Sequence, residues 1–194
     1  MDQQTVWNAI ASSWSSLRQH PRPEIMLFRH LIHGAVLDVG CGNGRNLIPF
    51  SGCQLYGIDF SRPMIDESHV YLKKHDTRAT LAQASAASLP FKDSSFDCAL
   101  CTSVLHCLPS DERSRCITEI RRVLRPRGLL VLSVWYNAVE REQYVPWRCK
   151  DETLLRYYYF FSPNELRDLL HGFTIITEVC VGSPNTNLVI LAEK

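Results

Sequence analysis

"VLDVGCGNGRN", residues Val36 to Asn46, places three glycines at alternate positions behind a short apolar run that carries Asp38. The run, extended to "AVLDVG", reads as a buried strand. Glycine after such a strand lets the backbone turn tightly and lets a ligand approach with no Cβ in the way. A helix from about Gly44 to Phe50 would add the free amide donors of its first turn. Gly40, Gly42 and Gly44 thus read as a cradle between the first strand and the next helix.

Working outward, "CQLYGIDF" is a second strand, and Asp59 near its end stands 19 residues beyond Gly40. A carboxylate there can accept both hydroxyls of a ribose. The pair of features predicts a nucleoside at the carboxyl ends of the strands. A dinucleotide site spaces its glycines G-x-G-x-x-G, whereas this loop is G-x-G-x-G, which weighs against a dehydrogenase.

The remaining pattern is regular. "TVWNAIASSWSSL" spaces Val6, Trp7, Ile10, Trp14 and Leu17 at helical intervals, and "RPEIMLFRHLI" predicts a second helix with Pro23 in its first turn. "SRPMIDESHVYLKKH" is a helix capped by Ser61. "ATLAQAS" (79–85) and "SFDCALCTSV" are strands three and four, and "DERSRCITEIRRVL" is a helix with Cys116, Ile117, Ile120, Val123 and Leu124 on one face. "GLLVLSVWY" is strand five. Residues 137–161 are mostly polar and aromatic and read as a lid segment. "SPNELRDLLHG" is a helix between Ser162 and Gly172, and "FTIITEVCV" and "TNLVILAEK" close the chain as two antiparallel strands around a turn at Gly182–Ser183–Pro184. Alternating strands and helices predict an α/β fold: a doubly wound sheet of seven strands, mostly parallel, with one antiparallel strand near the C-terminus.

Composition narrows the function classes. With 194 residues, one domain (1–194) is expected, burying roughly 70% of the unfolded surface. An apolar fraction of 45% and a charged fraction of 21% suggest neither disorder nor membrane insertion. The N-terminus lacks a signal-peptide pattern, so the cytoplasm is the expected location. The even count of eight cysteines could mean disulfides, but no secretory segment supports that, and the closest pair reads as buried thiols and not a metal site. In the one C-x-x-C, the side chains of Cys98 and Cys101 should point to opposite faces of strand four. A net charge of +1 does not announce a nucleic-acid binder, and Arg113, Arg115, Arg121, Arg122, Arg125 and Arg127 read as the solvated face of a helix and its flank.

"VLDVGCGNG" followed by "GIDFS", "LAQASAASLPFKDSSFD" and "EIRRVLRPRGLLVLS" resembles the fingerprint of class I S-adenosylmethionine-dependent methyltransferases over residues 34–135. The resemblance implies a Rossmann-like fold with S-adenosyl-L-methionine as cofactor. It places the methionine moiety at Asp38, Gly40, Gly42 and Gly44, the ribose at Asp59 with Phe60, the adenine at Ser85–Ala86, and the cofactor cleft beside Ser103. The group commonly has an acid where Ser85 stands.

"WNAIASSWSSLRQHPRPEI", "VLHCL", "VWY", "YVPW", "LRYYYFFSPNELRDLL" and "NTNLVIL" are similar, in order, to the tRNA wobble-uridine carboxymethyl methyltransferases. Trp7 and Trp14 replace the family's Tyr and Phe, and Arg22–Pro23 its Trp-Pro. That likeness implies esterification of 5-carboxymethyluridine in the tRNA anticodon loop. It also implies a small zinc-binding activator subunit on the 79–85 strand edge, forming a heterodimer. Residues 1–33 would cover the site and 137–161 would close its substrate side. A carboxylate is already ionised at neutral pH and needs no base, so cationic and phenolic donors suffice. Arg18, Arg156, Tyr157 and His106 are the candidates for that work. Trp135 and Trp147 are candidates for the substrate wall. A small-molecule O- or C-methyltransferase and a catalytically inactive cofactor-binding subunit are the alternatives.

Overall fold

The computed structural model describes residues 2–136, 141–149, 152–182 and 187–194. Seven strands form one sheet: β1 (Ala35–Val39), β2 (Gln54–Asp59), β3 (Thr80–Gln83), β4 (Phe96–Thr102), β5 (Leu124–Trp135), β8 (Thr174–Val181) and β9 (Asn187–Glu193). Their order is β3-β2-β1-β4-β5-β9-β8. β9 runs antiparallel to both neighbours, and the other adjacent pairs are parallel. This is the expected α/β architecture. The chain order reverses between β1 and β4, where open sheets of this kind leave a crevice at their carboxyl ends.

The strand residues separate by parity, as a pleat requires. Leu37, Val39, Ala99, Cys101, Leu130 and Leu132 pack on one face with Ile117 and Ile120 of α4 (Ser110–Val123). Val36, Leu55, Cys98, Leu100 and Val131 pack on the other with Ile25, Phe28 and Leu72. Cys98 and Cys101 therefore face opposite layers, as expected, and all eight cysteines are free thiols.

Several expectations change. The helix expected over 22–32 splits into α2 (Pro23–Leu27) and a 3-10 turn at Arg29–Leu31, with Phe28 leaving helical geometry at φ −109°. Ile25, Phe28 and Ile32 are all buried against the sheet, and that burial, not helix propensity, sets the path. The segment after the glycine loop is a 3-10 helix, Arg45–Phe50, because Pro49 has no N–H for an α-helical bond. Arg113 is not on a solvated face. It is buried, its guanidinium 3.7 Å from the Tyr159 ring centroid, and it donates to the Leu108 carbonyl and to Tyr157 Oη.

The lid segment is more ordered than its composition suggested. β6 (Glu142–Cys149) and β7 (Glu152–Tyr159) pair antiparallel as a separate hairpin, with Pro146 tolerated in a two-stranded ribbon. Its inner face packs on α1 (Gln3–Ser16) through Val6, Ile10, Leu154, Trp7 and Trp147. Gln3 extends the contact: its Oε1 accepts from Tyr157 N at 2.8 Å and its Nε2 donates to the Leu155 carbonyl. Residues 137–140 and the turn residues 183–186 lie outside the described residues. α3 (Arg62–Lys74) and α5 (Pro163–Leu169) match expectation, capped by Ser61 and by a Ser162–Glu165 capping box. No helix among the described residues is long and apolar enough to cross a membrane.

Candidate functional site

A cavity of about 1040 Å³ opens at the carboxyl ends of β1, β2, β4 and β5, roofed by α1 and the β6–β7 hairpin. Its floor is the glycine loop. Gly40, Gly42 and Gly44 all have positive φ (+66°, +55° and +78°), a conformation costly for residues with a side chain. At Gly40 a Cβ would also overlap Val104 Cγ2, so the turn admits no larger residue without displacement.

Asp59 is buried at the end of β2. Gly42 N donates to its Oδ2 at 3.0 Å and Ser61 N to its Oδ1 at 2.9 Å, which fixes the carboxylate and leaves each oxygen a further lone pair. Burial pushes its pKa up to about 6, against those amide bonds. Asp38 lies buried in β1, and neither of its oxygens has a hydrogen-bond partner. Burial, aided by the charge of Asp59, pushes its pKa up to about 8. A buried, unpartnered carboxylate beneath a glycine turn fits a ligand that brings its own donors. Phe60, Ser85 and Ala86 line the adjoining wall, where Ser85 Oγ already accepts from Ala87 N at 3.1 Å. Ser103, beyond β4, holds φ +61° and keeps its buried hydroxyl unpartnered.

The opposite end is aromatic and cationic. Trp135, at the end of β5, stacks on Tyr158 with centroids 4.3 Å apart and on His106 at 5.2 Å. Trp135 N donates to His106 Nδ1 at 2.9 Å, which leaves the ring proton on Nε2. Burial, with Arg22 nearby, lowers the His106 pKa to about 3, so the ring is neutral and a donor. Arg156 is buried, 4.7 Å from the Trp147 ring centroid, and donates through Nη1 to Tyr158 Oη at 2.8 Å. Arg18 lies 5.7 Å from the Trp14 ring centroid, and burial plus the charge of Arg156 lower its pKa.

The structure thus gathers most of the expected residues around one cavity: Arg18, Gly40, Gly42, Asp59, Phe60, Ser85, Ala86, Ser103, His106, Trp135, Arg156 and Tyr157 line it. Asp38 and Gly44 sit behind the lining. Trp147 stands under Arg156, its Nε1 donating to Ser13 Oγ at 3.0 Å, and supports the cation from outside the wall. Tyr157 reaches the cavity from the other side of β7. Its hydroxyl accepts from Arg113 and donates to Glu142 Oε1 at 3.1 Å. Tyr158 is the phenol beside Arg156, and strand periodicity (two residues on from Arg156) was the signal for it. Arg45, directly after the glycine loop, also lines the cavity and carried no sequence signal beyond its position.

Comparison with known proteins agrees with this geometry. Residues 37–132 match the family model described as "Methyltransferase domain". The chain is 35% identical over 140 residues to the tRNA (carboxymethyluridine(34)-5-O)-methyltransferase of Arabidopsis thaliana, covering 71% of this chain and 33% of that protein. It is 30% identical over 180 residues to a protein of Encephalitozoon cuniculi (strain GB-M1) named as a methyltransferase, covering 82% of this chain and 78% of that one. The chain therefore spans about a third of the plant relative's length but most of the second. Its fold matches a Burkholderia thailandensis 1,6-didemethyltoxoflavin-N1-methyltransferase solved with S-adenosylhomocysteine (TM-score 0.74, 23% identity, 100% of this chain and 91% of that chain). A floor of left-handed glycines, a buried acid at the end of β2 and the matched relatives lead to one assignment: this chain belongs to the class I S-adenosylmethionine-dependent methyltransferases.

Proposed function

We propose that the chain methylates a carboxylate, that of 5-carboxymethyluridine at the tRNA wobble position, to give the methyl ester. The observation that carries this reading is the donor set around Trp135: Arg156, Tyr158, neutral His106 and Arg18 offer hydrogen bonds and positive charge, and the imidazole among them is too weak a base to take a proton. Such a set suits an acceptor that arrives already ionised. The named activity of the plant relative is the same chemistry.

When bound, S-adenosylmethionine supplies an electrophilic methyl on a sulfonium centre. Asp59 would hold its ribose, Ser85 and Ala86 its adenine, and the glycine-loop amides its methionine end. Arg156 and Tyr158 hold one oxygen of the acceptor carboxylate and orient the other toward the methyl. His106 Nε2–H adds a neutral donor that steadies without quenching the nucleophile. Trp135 offers a stacking wall for a base. Tyr157, braced by Arg113, keeps β7 in register so that Arg156 stays aimed. In one domain, α1 and the β6–β7 hairpin, the described parts of segments 1–33 and 137–161, act as covers that exclude water from the reacting groups.

The acceptor is tRNA in this reading, and a small zinc-binding activator docks along β3, which ends the sheet. Incubation with methyl-labelled cofactor, activator and tRNA carrying 5-carboxymethyluridine should give base-labile label in the nucleoside. Label on small acids with none on tRNA would overturn the substrate assignment, and cofactor binding with no transfer to any acceptor would identify an inactive subunit.

A further inference from the structure

The β6–β7 hairpin has two unlike faces. Strand alternation sends Trp147, Leu154, Arg156 and Tyr158 toward α1 and the cavity, whereas Tyr144, Pro146, Leu155 and Tyr157 share the other face. Tyr144 stands opposite Tyr157 and Pro146 opposite Leu155, so the four side chains form one continuous apolar patch. Tyr144 is 62% exposed and Leu155 51%. The Tyr144 ring meets Tyr157 edge-on, with centroids 5.7 Å apart and planes at 63°, and stays mostly open to solvent.

This face adjoins the site. Glu142, Tyr144 and Tyr157 line the same cavity as Arg156 and Tyr158, although neighbouring residues of β7 point to opposite sides of the strand. The cavity therefore continues past β7 to the start of α4, where Pro109, Ser110 and Glu112 also line it and Arg113 donates to Tyr157 Oη. The charge there is selective. Glu112 and Glu142 are carboxylates, which accept hydrogen bonds and repel phosphate. Aromatic rings beside such acceptors suit a nucleobase, which offers a π-face and N–H edges. An acceptor nucleotide held at Arg156 and Tyr158 within an RNA chain has a neighbour, and the cavity leaves room for that neighbour on the far side of β7. We propose that Tyr144, set against Tyr157, stacks the base next to the methylated nucleotide, so that the outer face of the hairpin is a second nucleobase site. This site rests on the reading of the acceptor as RNA.

The test uses 2-aminopurine, whose fluorescence falls when it stacks. It replaces the nucleotide on one side or the other of the wobble uridine in a pair of anticodon stem-loop RNAs. Each RNA is titrated with the full chain in the presence of S-adenosylhomocysteine. The wild type should quench one of the pair. Tyr144→Ala should lose that quenching and bind the RNA about tenfold more weakly, the loss expected for one stacked base. Tyr144→Trp should retain both quenching and affinity. The S-adenosylhomocysteine Kd should stay within about twofold in both variants, which checks that they fold. No quenching of either RNA by the wild type, or undiminished quenching in Tyr144→Ala, would overturn the proposal. So would self-association of the wild type that Tyr144→Ala abolishes while RNA binding is unchanged, since the face would then belong to a second copy of the chain. Methyl transfer is scored separately on the stem-loop bearing 5-carboxymethyluridine. Its absence would overturn the acceptor reading, whereas the quenching decides the stacking site.

Discussion

Arg156 and Tyr158 illustrate how a single residue's role follows from its neighbours. The Arg156 side chain is buried on an aromatic ring with Nε unpartnered, so its charge is desolvated and costly unless an anion arrives. Arg156→Ala should lower kcat/KM by roughly a hundredfold or more in a transfer assay while leaving the S-adenosylhomocysteine Kd within about twofold. Equal losses in both would assign it to cofactor binding. Gly40→Ala should weaken cofactor binding at least about tenfold by calorimetry, because the new methyl meets Val104 and the backbone has φ +66°. Asp38 gives a pH signature. Its folded pKa is raised to about 8, so between about pH 4 and 8 the folded state holds a proton that the unfolded state releases, and stability of the unliganded chain falls as pH rises through that window. Cofactor binding has the opposite sense, since Asp38 and Asp59 must ionise to receive donors: affinity should fall as pH drops from 8 toward 6. Asp38→Asn should raise the unliganded Tm, flatten its pH dependence and weaken cofactor binding. A Tm profile unchanged by the substitution would refute the assigned ionisation.

At the scale of elements, the roof has a small core of its own, joined to the sheet layers through Tyr158 on Trp135 and Tyr159 on Arg113. α1 and the β6–β7 hairpin share a small cluster of Val6, Ile10 and Leu154, apart from the two clusters on the sheet faces. Leu154→Ala removes a buried side chain at a local cost of about 2–5 kcal/mol. Hydrogen exchange should then rise in α1 and in both hairpin strands, with β1, β4 and β5 unchanged, because such units open independently. Uniform loss of protection would mean that the roof and the sheet unfold together. Much of the element pattern was legible in the sequence where burial is one-sided, as in α4, or where capping is strong, as at Ser61 and Ser162. The hairpin was not, since Pro146 weakens the strand signal and the aromatic run from Tyr157 to Phe161 hides the alternation.

For the whole molecule, the two ends of the sheet matter. β3 is a four-residue edge, and Leu81 and Ala82 in it are only half-buried. An unprotected edge of this kind is a template for another strand. Co-expression with the activator should raise soluble yield and tighten cofactor binding, and Leu81→Pro should weaken the association, because Ala84 N donates to the Asp59 carbonyl of β2 and strand alternation therefore leaves the Leu81 N–H on the open edge. Full activity and good behaviour of the solitary chain would argue against the subunit. The net charge of +1 also predicts weak tRNA affinity for the chain alone, improved by a basic partner and measurable by salt-dependent binding.

The glycine spacing, the acid at Asp59 and the alternation of strands and helices were settled by local sequence, because φ preference, strand periodicity and capping act over a few residues. They specified the sheet and the glycine-loop end of the cavity. Which side chains meet at the aromatic and cationic end depended on tertiary structure. Arg18, His106, Trp135 and Arg156 come from distant parts of the chain. Only packing of α1 and the hairpin over the strand ends, with the desolvation it imposes, brings them from separate segments to the wall of one cavity.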